Sequence, residues 1–61
     1  MAEIAEKVRA ARLRLNWSSR RLAREAGVSH NVIRRLEAGE PIWAHHLATI
    51  VTVLTYGTQA K

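Results

Sequence analysis

The chain has 61 residues and no cysteine, so it makes one small domain with no disulfide or thiolate metal centre. A chain this short hides only about 60% of the surface its unfolded form exposes, which leaves little room for a buried active site. Ten Lys/Arg against five Asp/Glu give a net charge of +5, a balance that suits an anionic partner.

The bases are not spread evenly. Nine of the ten lie between Lys7 and Arg35, eight of them arginine, and the last third from Leu36 carries only Lys61. A basic patch on a small domain is the footprint of a nucleic-acid binder, although anionic membranes and acidic proteins also answer to it. No apolar run approaches the roughly 18 residues of a membrane span, and the N-terminus lacks a signal-peptide h-region. The expectation is a cytoplasmic, all-helical single domain over residues 1–61. There are no repeats and no low-complexity segment, and the chain has one proline and three glycines.

The first helix is predicted from Ala2 to Leu15. Ile4, Val8, Ala11 and Leu15 recur on one face. Glu3 and Glu6 open it and Arg12 and Arg14 close it, as the helix dipole prefers, and Asn16 stops it. The second is predicted from Ser19 to Ala26 with Ser18 as N-cap. Leu22, Ala23 and Ala26 form its buried side, and Gly27 ends it. The third runs from His30 to Ala38, capped by Ser29 and stopped by Gly39. The fourth is predicted to start near Pro41, which suits a first helical position, and to bury Leu47, Ile50, Val51 and Leu54. "TIVTVLT" (Thr49 to Thr55) has strand propensity, but a lone strand has nothing to pair with, so helix is expected. Residues from Thr55 onward are expected to be irregular.

The second and third helices with the Gly27-Val28-Ser29 turn meet the demands of a helix-turn-helix, about residues 19–38. Two short helices at a steep angle need a small residue inside the first, here Ala23, and a glycine in the turn, here Gly27. They also need apolar residues beyond the turn that point back into the core, here Val28, Ile33 and Leu36. "SSRRLAREAGVSHNVIRRLEAG" resembles the DNA-binding core of the phage repressor/Cro family, the Xre family of helix-turn-helix proteins. The resemblance extends through "IAEKVRAARLRLNW" and less clearly through "LATIVTVL", roughly residues 4 to 54. Its most specific matches are Leu22-Ala23, Ala26-Gly27-Val28-Ser29, Ile33, and Leu36-Glu37-x-Gly39. It implies a small lambda-repressor-like bundle of four helices, or five, in a bacterial cell, with a phage as one source of the gene.

The third helix supports this independently. At about 100° per residue, His30, Arg34, Asn31 and Arg35 span an arc of roughly 140°, opposite Val32, Ile33 and Leu36. A major groove admits one α-helix and displays acceptors that arginine and asparagine bind bidentately. The resemblance implies that Ser29, His30 and Asn31 read bases, with Arg34 and Arg35 one turn on.

In the second helix Arg20 and Arg21 occupy the first turn, where the dipole disfavours cations, and Arg21 takes the capping-box place of a glutamate. Such a choice makes sense where a helix start approaches phosphates. Arg24 extends the patch. Ser19, also placed at the phosphate, stands where the family usually has a glutamine that braces phosphate and recognition helix. Glu37 lies at the border of the third helix, where a carboxylate facing phosphates needs a cation. The family pairs an arginine of the first helix with this glutamate, and Arg12 holds that place, so Arg12 and Glu37 are expected to form a structural ion pair.

Other candidates carry less. His45 and His46 are adjacent and diverge by about 100° on a helix. With no Cys and no HExxH pattern, no metal or other cofactor is expected. No nucleophile context supports catalysis or a small-molecule substrate. Trp17 is expected in the core, and Trp43 in packing or an interface. The expected partner is double-stranded DNA. With only seven residues after Leu54, the family's usual fifth helix is short or missing, so a weak or DNA-induced homodimer and a monomer both stay open. The reading that follows is a sequence-specific regulator, a repressor of phage Cro/immunity type. Its rivals are an antitoxin or other protein-interaction helix-turn-helix module, and a basic membrane-surface binder.

Overall fold

The structure, a computed structural model, describes residues 2–59. It contains four helices: α1 (Ala2–Arg14), α2 (Ser19–Ala26), α3 (His30–Glu37) and α4 (Ala44–Gln59). The first three follow the caps in the sequence. Asn16 turns the chain after α1 with φ 61°. The Ser18 side chain accepts from the Arg21 N–H, closing the start of α2. Gly27 ends α2 in the left-handed region at φ 70°, a conformation that costs glycine little, and its N–H returns to the carbonyls of Ala23 and Arg24. The Ser29 side chain then accepts from the Val32 N–H to start α3.

The core forms where the helices converge. Leu22 of α2, Ile33 and Leu36 of α3 and Ile50 of α4 are fully buried. Val8, Ala23, Ala26 and Leu54 complete the cluster, with Leu15, Trp17, Val28, Ile42 and Leu47 packed around it. Ala23 and Ala26 keep the inner side of α2 thin, so α3 can cross close to it. Ala5 is buried on α1, whereas Ile4, expected on the inner face, is 37% exposed.

The second half departs from the sequence expectation in three places. Helix α4 begins at Ala44 rather than near Pro41. Ile42 packs against the core from a non-helical segment, and the first helical bond of α4 runs from the Leu47 N–H to the Trp43 carbonyl. Residues 55–59 continue the helix instead of fraying into irregular chain; residues 60 and 61 lie outside the described part. Gly57 explains this continuation. A Cβ built there would sit 2.9 Å from Leu15 Cδ1 and 3.3 Å from the Trp17 ring, so the bare glycine lets α4 lie against the end of α1. Val51, expected inside, is 46% exposed.

"TIVTVLT" is helical despite its strand propensity. The hydroxyls of Thr49, Thr52 and Thr55 donate to the carbonyls of His45, Ala48 and Val51, one turn back, at 2.8–3.0 Å. Those bonds satisfy the hydroxyls within the helix.

Leu36→Ala removes a fully buried side chain and is expected to cost about 2–5 kcal/mol. A domain of this size holds little more than that in reserve, so a thermal melt followed by circular dichroism should lose its cooperative transition. Leu13, 57% exposed, serves as control: Leu13→Ala should change stability by no more than about 0.5 kcal/mol.

Candidate nucleic-acid interface

The outer side of α3 is polar along its length. Asn31, Arg34 and Arg35 are exposed and His30 is half-buried, while Ile33 and Leu36 hold the opposite side in the core. The start of α2 lies beside the start of α3: Ser19 Oγ is 2.8 Å from His30 Nε2. The two residues expected at phosphate and base are thus bonded to each other. Ser19 cannot span the distance a glutamine would, but the His30 ring reaches back to it. With Nε2 engaged, Nδ1 is the ring nitrogen left for an outside partner.

The arginines divide into those held by the protein and those left open. Arg12 is held most firmly. Its Nε donates to Glu37 Oε2 at 2.7 Å, its Nη2 to Oε1 at 3.0 Å, and its Nη1 to the Trp17 carbonyl at 2.9 Å. Both side chains are nearly out of solvent, at 13% and 11% exposure. The structure brings Arg12 and Glu37 together as a bidentate pair, which fixes a plane as well as a distance. The pair joins α1, the α1–α2 turn and the end of α3. Arg9 adds a hold at the same place, donating to the Glu37 backbone carbonyl at 2.8 Å, where the last carbonyls of a helix favour a cation.

Arg21 is tethered too. Its Nε donates to Glu25 at 3.1 Å and its guanidinium lies 5.0 Å from the Trp17 ring centre. Arg35 meets Glu40 at 3.2 Å, with both side chains more than half exposed, a pairing that water and salt weaken readily. Arg20, Arg24 and Arg34 are exposed, and no ion pair to a glutamate is formed by any of them among the described residues. The first turn of α2 contains no acid, so its free amides and Arg20 face outward under one sign of potential.

Sequence reasoning missed all of these contacts except the Arg12–Glu37 pair. The spacing of Arg21 and Glu25, i to i+4, was a readable signal. The Arg9 and Ser19–His30 contacts depend on how the helices cross, and no local spacing announces them, whereas the Arg35–Glu40 contact depends on the turn at Gly39 that folds Glu40 back over the end of α3. Trp43 stands clear of the core at 72% exposure; its ring centre lies 5.9 Å from that of His45. The His45 and His46 rings are 4.4 Å apart, and no cluster of three metal-binding side chains occurs among the described residues.

A family model, Helix-turn-helix, matches residues 8–42, more than half of the chain. The chain belongs to the Xre, or lambda-repressor-like, helix-turn-helix family. It is therefore a DNA-binding transcriptional regulator, and double-stranded DNA is its partner. The family is one of DNA-binding regulatory domains, not of enzymes. The matched span of this Xre-family protein runs from Val8 through Ile42 and includes α2, the turn and α3 entire. No curated protein and no solved structure matches the chain. No helix among the described residues is long and apolar enough to cross a membrane.

Glu37→Gln should break the bidentate pair and leave Arg12 short of its counter-charge. Loss of one partner of a shielded pair costs roughly 3 kcal/mol, and urea denaturation should register it. The competing expectation, unchanged stability with an altered base preference, would make Glu37 a reading residue.

Proposed function

We propose that the protein is a repressor of the phage Cro/immunity type that reads duplex DNA in the major groove through α3. The observation that carries this is the asymmetry of α3: Ile33 and Leu36 are sealed in the core, while Asn31 and Arg34 are exposed. A bound domain covers its site, which is the simplest route to repression.

The roles divide as follows. His30, Asn31 and Arg34 read base edges. Ser29 spends its hydroxyl on the α3 cap and meets DNA only beside that cap. Arg35 lies on the reading arc but is paired with Glu40; we assign it to a phosphate or an edge base, and the principal guanine contact to Arg34. Arg20 and Arg24 take phosphates together with the α2 amides. Arg21 approaches the backbone from its tether on Glu25 and Trp17, and Ser19 acts mainly through His30. Two copies meet on a two-fold site with half-sites about one helical turn apart, as a weak or DNA-induced dimer. The protein acts as a single domain over residues 1–61, in the cytoplasm of a bacterial cell.

A second reading, a protein-interaction module, is favoured by an apolar groove between α1 and α4, and it is compatible with DNA binding.

Selection from random duplexes should return a defined sequence. On that sequence, Arg34→Ala should cost about 1–3 kcal/mol and relax preference at one base pair. Arg20→Ala should weaken all duplexes alike and flatten the dependence of log affinity on log salt by about one unit. Two variants with the same profile would refute this division of labour.

A further inference from the structure

The α1–α4 groove is lined by none of the arginines assigned to DNA and has a chemistry of its own. It is about 370 Å³ and open to solvent, lined by residues of α1 and α4 alone. Its floor is apolar: Ile4, Val8, Ala11, Leu47, Val51 and Leu54. Ile4 and Val51 are exposed there at 37% and 46%. Two cations rim it, Lys7 and Arg14, both on α1, and no glutamate lines it. Helix α4 contains no Asp, Glu, Lys or Arg. A second, smaller hollow shares Val51 and Thr55 with the groove and continues to Tyr56, itself 67% exposed. The two hollows therefore share a wall on α4.

We infer that this groove docks an acidic amphipathic helix of a partner protein. The groove spans Ile4 to Arg14, about 15 Å of helix axis, which matches roughly three turns of a docked helix. An apolar stripe with i, i+3, i+4 and i+7 anchors fits such a floor. Lys7 and Arg14 lie two turns apart, about 10 Å along α1, so carboxylates with the same spacing on the partner meet both. Net charge disfavours a second copy of this chain as occupant. Each copy carries +5. Three of its five glutamates are already bound to arginines, Glu25 to Arg21, Glu37 to Arg12 and Glu40 to Arg35. Only Glu3 and Glu6 remain to answer the partner copy's Lys7 and Arg14. No residue of α2 or α3 lines the groove, so docking leaves the DNA-reading face open. The protein then joins DNA to a second protein.

The test is a nitrogen-15 chemical-shift titration of the folded protein saturated with duplex DNA, which occupies the α2–α3 face. The probes are two designed amphipathic peptides of about four turns, one with glutamates flanking an apolar stripe and one with lysines in their place. The acidic peptide should shift Lys7, Ala11, Leu47 and Val51 and leave α3 unmoved. Lys7→Glu/Arg14→Glu, both at the exposed rim, should weaken it by about tenfold or more and bind the lysine peptide instead. A thermal melt of this variant confirms folding, and Val51→Asp provides an independent block of the floor. Equal binding of both peptides, shifts confined to α2 and α3, or no binding would overturn the inference. So would concentration-dependent self-association with shifts at Ile4 and Val51, which would give the groove to a second copy. Sequence-specific DNA binding is scored separately, so its failure and the failure of docking are told apart.

Discussion

An eight-residue helix has no stability of its own, and α3 is eight residues long. Its persistence depends on what holds it from outside, and the domain is organised around that need. Ser29 caps its start, Ile33 and Leu36 anchor one side, and Arg12 and Arg9 grip its last residue through the Glu37 carboxylate and carbonyl. Three kinds of interaction thus fix the axis, the rotation and the end of the helix. Only the side that none of them uses is left open.

The same economy sorts the charges. Arginines near one another repel, and a chain of +5 pays for its attraction to DNA with some of its own stability. Here glutamates are set against Arg12, Arg21 and Arg35, and the strength of each hold differs. The Arg12 pair is nearly dry and bidentate, so it belongs to the fold. The Arg21 and Arg35 pairs are wet and weak. Among the described residues, Arg20, Arg24 and Arg34 have no such restraint. A graded set of cations follows, running from structural at α1 to available on the outer sides of α2 and α3.

Much of this was legible in the sequence, and for identifiable reasons. The bounds of α2 and the start of α3 were readable because Ser18, Gly27 and Ser29 encode local geometry that needs no tertiary help. The pairing of Arg12 with Glu37 came from the family resemblance and not from spacing. The second half was harder. Pro41 favours a helix start, but packing of Ile42 into the core delays α4 to Ala44. Gly57 reads locally as a helix breaker, yet it is the residue whose missing side chain allows α4 to close on Leu15 and Trp17. In both cases tertiary packing overrode a local preference. The Ser19–His30 contact was hidden for a related reason: it joins two helix starts whose proximity exists only after Gly27 has set the turn.

The central claim is that α3 enters the major groove with its Asn31–Arg34 side toward the bases. Methylation interference on the selected duplex tests this most directly, because methyl groups at guanine N7 project into the major groove and those at adenine N3 into the minor groove. Interference at guanine N7 within each half-site, with one of those guanines losing its effect in Arg34→Ala, is the predicted result. Interference confined to adenine N3, or the same guanine pattern in wild type and Arg34→Ala, would contradict it.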